Sequence, residues 1–203
     1  MKSEIIKRIE SNKIVAIIRS KEQSSIERLL NILISSGIQV LEITSNTPGY
    51  TEEISKARSK HKDILIGAGT ITDPILAEEA IESGAQFLVT PNTNTEVIDV
   101  AHRADIPVMM GALTPTDVAN AINHKADMIK LFPAGVMGLD YFKALKGPFD
   151  STKFFAVGGI GTENIREWID AGIDGVGIGG ALLNQSEDEM NQSVRIFLDA
   201  VNH

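Results

Sequence analysis

Eight short apolar runs, rich in β-branched residues, recur along the chain, beginning near Val15, Val40, Ile64, Phe87, Pro107, Met128, Phe154 and Gly175. Each is followed by an amphipathic or capped segment. The intervals between starts are 20 to 26 residues, the length that a strand, a helix and two short loops require. A strand buried on both faces reads as a continuous apolar run, and alternation with helices makes the strands parallel. Eight such units suit a closed (β/α)8 barrel, the TIM-barrel architecture of the α/β class, with roughly the first eleven residues as an extra N-terminal helix over one end. The 203 residues fall short of the roughly 250 typical of that fold, so the loops must be tight. No linker, low-complexity stretch or shift in composition interrupts the period, which predicts one barrel domain over 1–203.

Local chemistry supports the helices. Ile26, Leu29, Leu30 and Leu33 fall on one face at helical spacing, and Gly37, Gly84 and Gly172 supply C-terminal stops. Asp73-Pro74 and Thr114-Pro115 read as cap and first turn, and Thr93 with Glu96 has capping-box spacing. An open doubly wound sheet is the competing architecture. Gly175-Val-Gly177-Ile-Gly179-Gly180 matches a dinucleotide fingerprint in form, but no β-α-β unit or ribose-binding acid follows it.

Composition removes several functions. A net charge of -8, from 27 acidic and 19 basic residues, argues against a nucleic-acid surface. Without cysteine there is no thiolate nucleophile or disulfide framework. The first ten residues lack the apolar core of a signal peptide and no run approaches membrane-spanning length, so a cytoplasmic protein without membrane contact is expected.

Catalysis in such a barrel belongs at the C-terminal ends of the strands. The polar residues there are Arg19, Glu42, Thr44, Thr70, Thr90 and Lys130, with glycines at 158, 159, 179 and 180. Lys130 lies inside Met128-Ile-Lys-Leu-Phe-Pro133, where an ammonium is costly to desolvate. Burial favours its neutral amine, the form that attacks a carbonyl to make a Schiff base. Alternation puts Glu42 on the face of Val40 and Thr44, and Lys130 on the face of Met128 and Phe132. The pair reads as an amine nucleophile with a proton carrier, or as a structural ion pair. Thr70 reads equally as a substrate contact or the cap of the third helix. Arg19 suits an anion, and the two glycine turns suit a phosphate. His61 and His124 fall at helix ends, His102 within a helix and His203 at the terminus, which leaves no metal ligands at the mouth and no cofactor.

The segments Ile14 to Arg19, Leu41-Glu-Ile-Thr44, Gly67-Ala-Gly-Thr70, Phe87 to Pro91, Ile129-Lys-Leu-Phe-Pro-Ala134 and Val157-Gly-Gly159 resemble the class I aldolases acting on 2-keto-3-deoxy-6-phosphogluconate and 4-hydroxy-2-oxoglutarate. The resemblance runs almost end to end. It implies a homotrimeric barrel that cleaves a keto-acid phosphate, with Lys130 as Schiff-base lysine and Glu42 as general acid/base. It also implies substrate contacts at Arg19, Thr70, Pro91, Phe132, Gly158, Gly159, Gly179 and Gly180. Four positions depart from the pattern. Asn46 stands where many members hold the pyruvate carboxylate with arginine, for which Arg19 is the proposed substitute. Val157 and Gly180 stand where hydroxyl residues are common, and Gly135 where glutamate is frequent. The competing functions are an isomerase or epimerase on the same small barrel, and a non-catalytic sugar-phosphate-binding barrel.

Overall fold

The computed structural model describes residues 1–180 and 182–202. Eight parallel strands, β1 (Ile14–Ile18), β2 (Val40–Thr44), β3 (Leu65–Gly69), β4 (Leu88–Val89), β5 (Val108–Ala112), β6 (Met128–Leu131), β7 (Phe154–Val157) and β8 (Gly175–Ile178), are joined in sequence order. The strand β8 pairs with β1 and closes the barrel. Each strand begins within one residue of its expected start. Apolar side chains point both into the barrel and out against the helices, and polar ones such as Glu42, Thr44 and Lys130 enter only toward the strand ends.

The helices are α1 (Lys2–Asn12), α2 (Ile26–Ser35), α3 (Tyr50–Lys60), α4 (Pro74–Glu82), α5 (Glu96–Arg103), α6 (Pro115–Asn123), α7 (Ala134–Lys146), α8 (Ile165–Asp170) and α9 (Glu187–Asn202). The helical run α7 is broken at Gly138, whose φ is 79°. Among the described residues no helix is long and apolar enough to cross a membrane. Helix α2 buries Ile26, Leu29, Leu30 and Leu33, the stripe its spacing marks. Asp73 accepts from Leu76 N at 3.0 Å, and Thr114 with Asp117 forms a reciprocal capping box. The capping box expected at Thr93 is absent. Helix α5 starts at Glu96 behind Thr95, and the Thr93 hydroxyl instead donates to Gly111 O at 2.7 Å, tying this loop to the sheet.

Two apolar clusters hold the molecule. The larger joins the outer faces of the strands to the helices. The smaller lies inside the barrel, where Val15, Val40, Leu65, Phe87, Val89, Met109, Met128 and Phe155 meet Ile5 and Ile9 of α1. The N-terminal helix is therefore the stopper of the lower mouth. It is anchored by Lys2 Nζ, 2.8 Å from Asp127 Oδ1, while Asp127 Oδ2 accepts from Val108 N at 2.9 Å.

Candidate active site

Val40 and Met128 belong to the cluster inside the barrel. Two residues on, Glu42 and Lys130 share their faces and point into the upper half. Glu42 stands in register with Ile17 on one side and Gly67 on the other. Lys130 stands between Gly111 and Phe155. Glu42 is 1% exposed and Lys130 4%, so both charged groups are withdrawn from water. Desolvation pushes the Glu42 carboxyl up, against the pull of Lys130 and Arg19. The same burial pushes the Lys130 ammonium down, opposed by Glu42 and assisted by Arg19.

Neither group accepts or donates a hydrogen bond within the described protein, and no ion pair as short as 4.0 Å joins them. A structural ion pair survives burial only with close geometry and satisfied hydrogen bonds. This pair has neither, so it is not a close ion pair: an amine and a carboxylate stand apart in the upper barrel. Room for the carboxylate comes from β3, because a Cβ on Gly69 would coincide with the Glu42 side chain. The Lys130 Nζ lies 5.1 Å from the centre of the Phe132 ring.

Arg19 donates to Thr70 Oγ1 at 3.2 Å. Thr70 has φ 58°, a left-handed conformation costing a β-branched residue about 1–3 kcal/mol. Its carbonyl is held by Ser45 Oγ at 2.7 Å. It does not cap the following helix, a task that Asp73 performs. The strained threonine thus serves to present its hydroxyl beside the arginine.

A cavity of about 510 Å³ opens over Lys130. Arg19, Pro91, Phe132, Gly158, Gly159, Gly179 and Gly180 all lie on its wall, as the sequence places them. Glu42 and Thr70 are not on that wall: Glu42 lies deeper, 1% exposed, and Thr70 stands next to Arg19. Thr44 and Thr90, also expected at the mouth, are consumed by the scaffold. The Thr44 hydroxyl bonds to that of Thr47 at 3.0 Å. Thr90 Oγ1 donates to Asn92 O and accepts from Gly111 N, each at 2.7 Å.

The glycine turns are built as the sequence suggests. Gly158 and Gly159 have φ of 86° and 77°, and Asn164 laces their loop through Gly159 O and Gly161 N. Among the described residues, the backbone N–H groups of Gly159, Ile160 and Gly180 have no protein acceptor. Val157 is a buried apolar wall. Gly135 is explained by packing: its N–H donates to Gly158 O at 2.7 Å, and a Cβ there would lie 2.7 Å from Gly159 O. Glutamate has no room at that position unless the turn moves. Asn46 is exposed.

Several wall residues escape sequence reasoning, namely Thr162, Glu163, Asn184, Gln185 and Ser193. They sit on loops and on α9, away from any strand end. Among the described residues no three His, Asp or Glu side chains gather as a metal site. His102 lies at the opposite end, 2.8 Å from Asp127. His203 lies outside the described residues.

A closed (β/α)8 barrel carrying a buried amine and carboxylate in its upper half suits a carbon–carbon lyase of the class I aldolase type. The comparisons give the particular family: residues 5–197 match the model for KDPG and KHG aldolase, and the chain belongs to that family. It is 34% identical to the 2-dehydro-3-deoxy-6-phosphogalactonate aldolase of Escherichia coli K12, over 92% of this chain and 93% of that one. It is 30% identical to the 2-dehydro-3-deoxy-phosphogluconate aldolase of Haemophilus influenzae, over 98% and 97%. A solved KDPG aldolase of Legionella pneumophila, with pyruvate captured at low pH as a covalent carbinolamine intermediate, superposes with a TM-score of 0.83 at 25% identity, covering 100% of this chain and 97% of that one.

Proposed function

We propose that Lys130 is the Schiff-base nucleophile and Glu42 the proton carrier for cleavage of a 2-keto-3-deoxy-6-phospho sugar acid. The leading substrate is 2-dehydro-3-deoxy-6-phosphogluconate, giving pyruvate and glyceraldehyde 3-phosphate. The same centre suits 4-hydroxy-2-oxoglutarate, giving pyruvate and glyoxylate. The observation that carries this reading is the buried, unpaired Lys130 facing Glu42 beneath the cavity.

The neutral amine attacks the C2 ketone, and the carbinolamine loses water to an iminium. Glu42 takes the proton of the C4 hydroxyl as the C3–C4 bond breaks, and the bonding pair flows into the iminium to form an enamine. The aldehyde departs. Glu42 returns its proton to C3, and water hydrolyses the iminium, releasing pyruvate and free Lys130. Arg19 and the Thr70 hydroxyl hold the substrate carboxylate, which supplies the charge missing at Asn46. Pro91 and Phe132 wall the pyruvyl end, and the turns at Gly158-Gly159 and Gly179-Gly180 offer backbone donors to the phosphate.

The experiment is borohydride reduction in the presence of pyruvate, followed by peptide mapping. A pyruvyl adduct on Lys130, lost in Lys130→Met, is expected; the folded wild type giving no adduct at neutral pH would leave an isomerase or a binding barrel. Identity to the phosphogalactonate enzyme favours the C4 epimer as a second substrate, and cleavage rates on both epimers rank the two. The reading extends to a homotrimer in the cytoplasm, where phosphorylated metabolites are retained. Ile75 before the body of α4, and Val136 with Met137 at the start of α7, are exposed apolar groups at the catalytic end. Two unlike patches suit a ring closed by rotation, and sedimentation at several concentrations tests it.

A further inference from the structure

The end of the cavity wall built by the chain that follows β8 includes Gln185, from the loop after β8, and Ser193, from α9. Ser193 is 8% exposed, and its hydroxyl donates to Gln185 Oε1 at 3.0 Å. That bond fixes the amide. Its carbonyl is taken by α9, and the NH2 group has no acceptor among the described residues, which leaves both N–H donors free for a ligand.

Elsewhere this end offers backbone donors. The unpaired N–H groups of Gly159, Ile160 and Gly180 form the kind of concavity that takes an anion, but Val157 and Gly180 bring no hydroxyl to it. Thr162 and Asn184 also line the wall, and neither is tied to a buried partner as Gln185 is. A donor oriented before the ligand arrives avoids the ordering cost that a free loop side chain incurs on binding.

Resting on the function proposed above, we propose that Gln185 is the specificity-determining side chain for the substrate's terminal phosphate, and that Ser193 is its positioning residue. The amide donates to a phosphate oxygen held against the glycine turns. It takes the part of the hydroxyls that Val157 and Gly180 do not bring.

The test compares steady-state cleavage of the 6-phosphorylated keto-deoxy acid and its unphosphorylated counterpart by wild type, Gln185→Ala, Gln185→Glu and Ser193→Ala. Gln185→Ala is expected to raise KM for the phosphorylated substrate roughly tenfold or more, with less than about a twofold change for the unphosphorylated one because it lacks the contacted group. Gln185→Glu, which adds a repelling charge, is expected to raise it further. Ser193→Ala is expected to move KM the same way by less, with kcat held. An unchanged KM for the phosphorylated substrate, or equal rises for both substrates, overturns the proposal. Failure of wild type to form the pyruvyl adduct on Lys130 would instead overturn the function on which it rests, so the two failures are distinguishable.

Discussion

The same strands build two unlike environments inside the barrel. In the lower half, Val15, Val40, Leu65, Met109 and Met128 pack against one another and against Ile5 and Ile9 of the stopper helix. Two residues further along, the positions are Ile17, Glu42, Gly67, Gly111 and Lys130. The lower layer fills space; the upper one opens it and places two charges in it. Only one pleat separates Val40 from Glu42 and Met128 from Lys130, so the rigid apolar layer sets the positions of the carboxylate and the amine almost directly. Packing and the proposed chemistry therefore occupy different floors of one barrel, and substitutions on each floor should move different observables.

The largest effect is expected on the upper floor. Glu42→Gln keeps the shape but removes the carboxylate proposed as the base, and turnover should fall by about 10²- to 10⁴-fold. The pH profile gives a second reading of the same variant. The Glu42 charge raises the Lys130 pKa, so its loss should move the lysine's acid limb to lower pH even as the rate drops. A rate loss with the limb displaced upward would show that Glu42 is not the anion facing the amine.

The contrast between floors also explains what the sequence discloses. The barrel is legible because each strand is apolar on both faces, and β-branched runs declare it locally. Lys130 and Glu42 are legible because a charge inside such a run has nowhere to go but the mouth. Thr44 and Thr90 satisfy the same positional rule, yet their hydroxyls meet Thr47, Asn92 and Gly111, partners fixed by folding rather than by spacing. Thr93 fails as a cap for the same reason, since Gly111 O, 18 residues away, competes successfully for its hydroxyl. Gln185 and Ser193 carry no local signal at all. Their meeting depends on how the loop after β8 turns back onto α9.

On the lower floor the stopper helix gives the next largest effect. Ile9 is fully buried at the end remote from Lys130. Ile9→Ala should cost about 2–5 kcal/mol of stability through lost transfer energy and the cavity left behind. Denaturant midpoints measure this, and kcat at a temperature where the variant is folded should match wild type. A matching loss of kcat would mean that the two layers are coupled.

A smaller change should run in the opposite direction. Buried charges that chemistry requires burden the fold, so Lys130→Met/Glu42→Gln, inactive by design, should be more stable than wild type by about 1–4 kcal/mol. The size of the gain depends on pH. Lys130 is depressed below its ordinary 10.5, so its ammonium penalises the native state at lower pH, and the penalty vanishes once the unfolded chain also holds a neutral amine. Glu42 is raised above 4.5, so its carboxylate penalises the native state at higher pH and imposes nothing when protonated in both states. The gain should be greatest in the neutral window and shrink toward either extreme, as melting curves across pH would show. A gain that did not vary with pH would assign the effect to packing.

The subtlest test lies at the rim, where Arg19 touches Thr70 and its field reaches both buried groups. It lowers the pKa of Lys130 and of Glu42 together. Arg19→Ala should therefore shift both acid limbs of kcat/KM to higher pH, in contrast to the downward move of the lysine limb in Glu42→Gln. Loss of its charged hydrogen bond should also weaken pyruvate binding by roughly tenfold or more. A pyruvate affinity left unchanged would return the carboxylate to another donor. An affinity loss without a shift of the limbs would make Arg19 a binding group whose charge does not reach Lys130. Both changes together would join the first strand to the upper floor as the cation that holds the substrate carboxylate and keeps the amine neutral.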